Sequence, residues 1–308
     1  MTYEATYSFP RYLSAKKTVD DRALNRNVFH RLAEELTAAG SAEPLRVLEI
    51  GAGIGTMIER ALDWGLLTRA TYTAIDSEAE NIAEAAVRLL AWGTDRGYTA
   101  ETEAAGSIRL RRGETDVLVN LRVADVFDFM ATVKGSGDWD LLVANAFLDL
   151  VDIPSALPDL LALLKPAGFF YFTINFDGGT IFQPELEPLL DKKIEALYHD
   201  TMDRRIIRGK PSGDSRTGRH FFQHARAAGA HILAAGPSDW VVFAGLDGYH
   251  GDEAYFLHFL VHTVGLALAA HPDLDARALS DWVEQRHREI EEGTLVYIAH
   301  QLDFVGRK

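Results

Sequence analysis

No cysteine occurs in the 308 residues of this chain. That absence excludes disulfide bridges, thiolate metal sites and a cysteine nucleophile. Long apolar runs are also missing. The longest candidates, around 160–164 and 256–269, are interrupted by charge, histidine or proline, and they fall short of the ~20 residues a membrane span requires. Positive charge is scarce: 31 Lys and Arg stand against 45 Asp and Glu, for a formal net charge of −14. Binding to a phosphate backbone relies on clustered bases, and only two short basic clusters exist, at 109–112 and 204–210. Neither a nucleic acid nor a membrane is therefore expected as partner. The start, Met1-Thr-Tyr-Glu-Ala, lacks the basic residues and apolar core of a secretory signal. A cytoplasmic protein is the expectation, and a homodimer is left open. The hydrophobic fraction of 47% is enough to fill the core of one large domain or two modest ones.

The most informative stretch that is present is Arg46-Val-Leu-Glu-Ile-Gly-Ala-Gly-Ile-Gly-Thr56. Residues 47–50 read as a buried strand, Gly51, Gly53 and Gly55 follow, and a helical pattern begins at Met57. Glycines at such a junction let the main chain turn tightly and let a ligand approach the helix N-terminus. A dinucleotide fingerprint, G-x-G-x-x-G, would need its third glycine at position 56, where Thr56 stands. Downstream, strands and helices alternate as in a doubly wound α/β sheet. Further strands are expected at 71–76, 116–123, 139–144 and 169–176, then at 229–235 and 296–305. The stretch 93–113 reads as a polar excursion or hairpin. Lys165-Pro-Ala-Gly168 reads as a helix stop.

The pattern E-x-G-x-G-x-G resembles motif I of the class I S-adenosylmethionine-dependent methyltransferases. The order of acids after the second and third strands, and Leu-Lys-Pro-x-Gly before the fifth, is similar to that family. The resemblance covers about 45–176, 215–242 and the last strand. It implies a seven-stranded, mostly parallel sheet with an antiparallel last strand, plus helical cap insertions. It also implies S-adenosylmethionine as cofactor, held by Glu49, Gly51, Ala52, Gly53, Gly55, Asp76, Ser77, Asp125, Val126, Asn145 and Ala146. In that reading Asp76 takes the ribose hydroxyls, with a helix cap as its structural alternative, and Asp125 takes the adenine amino group. Asn145-Ala-Phe-Leu departs from the Asn/Asp-Pro-Pro-aromatic motif of adenine N6-methyltransferases. The missing cysteine also excludes the thiolate mechanism of pyrimidine C5-methylation.

Three segments lie outside the shared core: an N-terminal helical lid at 1–44 before a methyltransferase domain at 45–308, and helical insertions at about 178–214 and 246–293. An insertion after strand five leaves from the carboxyl end of the sheet, where ligands bind in open α/β folds. Candidate catalytic residues are His258, His262 and Asp149, with His250 as a separate general-base candidate. Candidate substrate contacts are Tyr12, Arg22, Phe147, Asn175 and Tyr255, with Lys16 and Asn25 alongside them. Tyr255, His258 and His262 share one helix face by spacing, and no third metal ligand sits at a telling distance, so no metal is expected. The leading expectation is methyl transfer to an oxygen, nitrogen or carbon of a small molecule. A non-catalytic S-adenosylmethionine-binding or regulatory protein is the alternative, with an NAD-dependent oxidoreductase behind it.

Overall fold

A computed structural model describes residues 7–40, 42–103, 106–133, 136–207 and 209–308. Two helices come first, α1 (Phe9–Ala23) and α2 (Arg26–Ala39). Ser8 caps α1 through the Arg11 N–H ahead of Pro10, and Asn25 caps α2 through the N–H groups of Asn27 and Val28. The α/β core follows: β1 (Leu45–Ile50), α3 (Thr56–Asp63), β2 (Arg69–Asp76), α4 (Ala79–Asp95), β3 (Thr99–Thr102), β4 (Ser107–Arg112), β5 (Thr115–Val123), α5 (Val126–Val133), β6 (Trp139–Asn145), α6 (Ile153–Ala162) and β7 (Leu164–Gln183). The chain ends with α7 (Pro188–Asp203), β8 (Ile206–Ile207), β9 (Lys210–Pro211), α8 (Thr217–Ala227), β10 (His231–Pro237), β11 (Trp240–Val242), α9 (Glu253–Leu268), α10 (Ala276–Glu291) and β12 (Val296–Arg307).

The sheet runs β10-β12-β7-β6-β1-β2-β5-β4-β3, with β11 paired to β12. The seven expected strands are all there, and β12 is antiparallel to both β7 and β10. Among the described residues, ten strands rather than seven share the sheet. The polar excursion folds into the β3–β4 hairpin and pairs onto β5, and β11 adds a short strand at the other side. Alternation decides which face each side chain covers. Val47, Leu141, Val143 and Tyr171 join one core layer, whereas Leu48, Leu142, Ala144 and Phe172 join the other.

Register places the site. Ile50 lies opposite both Ile75 and Ala144, Asp76 opposite Val123, and Asn145 opposite Thr173. The carboxyl ends of β1, β2, β5 and β6 are therefore level, facing the mid-strand bend of β7. Expected as 169–176, β7 instead continues to Gln183, pairing there with Val296. The strand outruns its parallel neighbour and carries a ribbon over the carboxyl edge.

Candidate active site

Gly51, Gly53 and Gly55 have φ of 63°, 54° and 79°, a region open to glycine at little strain. At Gly51 space is limiting too, since a Cβ would come 2.8 Å from the Phe147 ring. Across the loop, Asp76 Oδ2 accepts the Gly53 N–H at 2.8 Å, and Oδ1 accepts from the Glu78 N–H and Asn81 Nδ2. Asp76 thus does the local work of a cap and braces the glycine loop, and it also lines the cleft. Asp125 accepts from the N–H groups of Phe127 and Asp128 at the start of α5. Asn145 Oδ1 accepts from the Thr173 hydroxyl, and Ala146 has a φ of 51°.

Glu49 is 1% exposed, and Tyr72 donates its hydroxyl to it at 2.9 Å. Burial pushes the Glu49 carboxyl up to about 8; the Tyr72 hydrogen bond and the positive charge of Arg60 oppose that shift.

A cavity of about 560 Å³ opens beyond the glycine loop, within the size range of small-molecule sites. Glu49, Gly51, Ala52, Gly53, Asp76, Ser77, Asp125, Val126, Asn145, Ala146 and Phe147 all line it, whereas Gly55 does not. Elements outside the shared core supply much of the rest of its wall. α1 gives Tyr12, Leu13 and Lys16; β7 and α7 give Thr180, Tyr198 and Met202; α9 gives Phe259, Leu260 and Thr263. Tyr297 and Gln301 on β12, Trp240 on β11 and Asp149 complete the chamber. Ile174, also in the wall, holds a φ of 55°, which is strained for a β-branched residue. Its N–H is pinned by Asp303 Oδ1 at 2.7 Å.

The expected chamber face of α9 was one step off. Phe259, Leu260 and Thr263 face the cavity; Tyr255, His258 and His262 do not. Tyr255 hydrogen-bonds the main chain of Ser8 and lies under the Arg11 guanidinium. His258 Nδ1 meets His287 Nδ1 of α10 at 2.7 Å, and His262 packs on Tyr7. Burial lowers the pKa of both His258 and His262. His250 is an exposed turn residue. Arg22 forms a two-pronged ion pair with Glu253, and Asn25 caps α2 and bonds the Pro237 carbonyl. Asn175 is fully buried and donates to the Leu302 carbonyl. Apart from the exposed His250, each of these residues joins one element to another and lies outside the cavity lining. Among the described residues, no three His, Cys, Asp or Glu are grouped to hold a metal ion, and no helix is long and apolar enough to cross a membrane.

Of the expected lid, only the α1 half touches the cavity; α2 packs on β10 and β12. A buried ionic network clamps α1 down. Arg60 of α3, 1% exposed, reaches Asp21 at 2.6 Å and Asp20 at 3.6 Å, while Lys16 pairs with Asp20 at 2.5 Å. Glu59, equally buried, takes Arg88 of α4 at 2.6 Å.

Level strand ends, a glycine loop with an acid on the strand before it, and a roofed cavity define a class I, Rossmann-like arrangement. The chain belongs to the methyltransferase domain family, whose sequence model matches residues 24–198. It is a class I methyltransferase with S-adenosylmethionine as cofactor. The matched region starts at the end of α1 and leaves that helix outside. Among solved structures, it resembles a protein of Galdieria sulphuraria assigned as a sarcosine dimethylglycine methyltransferase (13% identity, TM-score 0.41, covering 90% of this chain and 83% of that one). Another is the phosphoethanolamine N-methyltransferase 2 of Haemonchus contortus (12%, TM-score 0.43, 99% and 59%). A third is the geranyl diphosphate C-methyltransferase of Streptomyces coelicolor A3(2) (12%, TM-score 0.42, 90% and 75%). No curated protein sequence matches the chain.

Proposed function

We propose that the enzyme methylates a small-molecule acceptor inside the chamber roofed by α1, α7 and α9. One observation carries this reading: a single cavity joins the glycine loop to walls built from segments outside the shared core. The residues fit the cofactor. Among the described residues no cationic group bonds the buried Glu49 carboxyl, which leaves it open to an amino-acid ammonium. The space over Gly51 admits no Cβ. In this reading Glu49 and the glycine loop hold the methionine end, Asp76 takes the ribose, and Asp125 with Val126 flanks the adenine. S-adenosylmethionine supplies an electrophilic methyl carbon on a cationic sulfur. The chain's part is alignment, exclusion of water and handling of the acceptor's proton. Asp149, in the chamber wall, is the candidate base. Burial raises its pKa, and one of its oxygens has no hydrogen-bond partner.

The domain reading that fits is one methyltransferase domain with α1 as lid and two helical insertions as walls. Calorimetry with S-adenosylhomocysteine, followed by methyl-labelled S-adenosylmethionine in a metabolite extract, tests both halves. Cofactor binding without transfer of label to any small molecule would leave only the binding-protein alternative.

A further inference from the structure

The charge of the chamber selects among acceptors. Among the described residues that line the cavity, six are carboxylic acids: Asp20, Glu49, Asp76, Glu78, Asp125 and Asp149. One is basic, Lys16. That single base is already engaged, 2.5 Å from Asp20 and with its ammonium 5.1 Å from the Trp240 ring centroid. Asp20 is also committed, taking Trp240 Nε1 at 2.9 Å and lying 3.6 Å from the Arg60 guanidinium. On the acceptor side of the cavity this leaves Asp149 as the carboxylate with no ion pair among the described residues and an unpartnered Oδ1. A chamber of this kind disfavours a phosphate or carboxylate acceptor, because Lys16 is the only basic side chain among the described residues that line it, and Arg205 acts on Asp149 from outside the lining.

Around Asp149 the walls suit a cation that carries carbon. Tyr12, Tyr198 and Tyr297 line the chamber, and their hydroxyls make no hydrogen bond to another described residue. Phenolic oxygens accept from N–H donors, and ring faces attract an alkylated ammonium. Phe176 and Phe259 add apolar surface, with Phe259 stacked on Tyr12 at 4.1 Å.

We infer that the acceptor is a small alkylamine that enters as its ammonium ion, held by these aromatic walls and by the Asp149 carboxylate, which takes the proton that frees the nitrogen. In the proton step an N–H bond breaks, an O–H bond forms on Asp149, and the lone pair stays on nitrogen; with S-adenosylmethionine bound, that lone pair would form the C–N bond as the C–S bond breaks, the thioether would leave as S-adenosylhomocysteine, and the positive charge would pass from sulfur to the methylated nitrogen. The inference rests on the methyl-transfer reading, and the test separates the two.

The protein is first titrated with S-adenosylhomocysteine alone. The saturated complex is then titrated with choline chloride and, separately, with 3,3-dimethylbutan-1-ol, the uncharged carbon isostere of choline. Choline should bind at least tenfold more tightly, a difference read on the unaltered protein. Asp149→Asn should erase most of that preference while leaving the alcohol's affinity within twofold. Given matched amines and alcohols, methyl-labelled S-adenosylmethionine should label the amines. Equal binding of choline and its isostere, or label entering the alcohols, overturns the inference and leaves the methyltransferase reading standing. Failure of S-adenosylhomocysteine to bind overturns both.

Discussion

Cofactor binding should release a proton from Glu49. The carboxyl is pushed up to about 8 by burial, so at pH 7 roughly one unliganded molecule in ten carries it ionised. An ammonium bound beside it favours the carboxylate and pulls its pKa toward the ordinary glutamate range. The sign follows directly. Binding needs the deprotonated form, the unliganded protein is mostly protonated below pH 8, and affinity therefore climbs as pH rises. For a shift from about 8 to well below 6, affinity improves by about ninefold from pH 6 to 7 and by about fivefold from pH 7 to 8. At pH 7 the remaining penalty is about 1.4 kcal/mol, close to tenfold in Kd. The window from pH 6 to 7 is the clean one, because a ligand α-amino group titrates only near ~8. Calorimetry with S-adenosylhomocysteine in phosphate and in Tris, which differ in ionisation enthalpy, counts the released protons directly. Nearly one proton should leave at pH 7, and none in Glu49→Gln. A pH-independent Kd with no proton release would refute the assignment of Glu49 to the ammonium.

Other consequences are testable by simpler means. Glu49→Gln should stabilise the unliganded protein at pH 8 but not at pH 4: an acid whose folded pKa is raised destabilises the fold above its unfolded pKa near 4.5. Thermal melts at the two pH values check this. Arg60→Ala should lower stability by about 1–3 kcal/mol, because it takes a buried guanidinium from Asp21 and Asp20 while Lys16 still pairs with Asp20 and Lys17 with Asp21; a loss under ~0.5 kcal/mol in urea unfolding contradicts that role. Gly51→Ala should abolish S-adenosylhomocysteine binding in a folded protein, since both the φ of 63° and the Phe147 ring oppose a Cβ. His262→Gln should leave turnover with methyl-labelled cofactor within twofold, as His262 lies outside the cavity lining; a tenfold fall would return it to the chemistry.

The glycine-loop side of the cavity was legible because it is local. An apolar strand, an acid and alternating glycines are contiguous, so Glu49, Gly51 and Gly53 stand together in sequence as they do in space. Asp76 and Asp125 were legible because parallel strands end level: Asp76 ends β2, and Asp125 follows the end of β5 by two residues. The acceptor half resisted reading because its walls are assembled from four distant segments. On α9 the aromatic-rich helix has apolar residues on nearly every side, so its periodicity did not say which face meets the cavity. Tyr255, His258 and His262 were the polar choice. The cavity took Phe259, Leu260 and Thr263, while His258 went to the α10 interface and His262 to Tyr7. Tyr297 and Gln301 carried a usable signal, a two-residue alternation on the last strand with Ala299 between them. Tyr198 carried none, since a tyrosine on an amphipathic helix reads as packing.

The overlong pairing of β7 with β12 makes the chamber's depth a matter of strand length. Thr180 on one strand and Tyr297 and Gln301 on the other stand on a ribbon whose register runs from Phe169 opposite Arg307 out to Gln183 opposite Val296. Each residue of an antiparallel strand advances about 3.4 Å, and alternation repeats every two residues. Deleting two facing residues from each strand would therefore shorten the ribbon by about 7 Å while every remaining side chain keeps its face. Deleting one would turn the outer wall inside out. The ribbon works as a ruler with two-residue graduations, by which the depth of the chamber can be reset without touching the glycine loop.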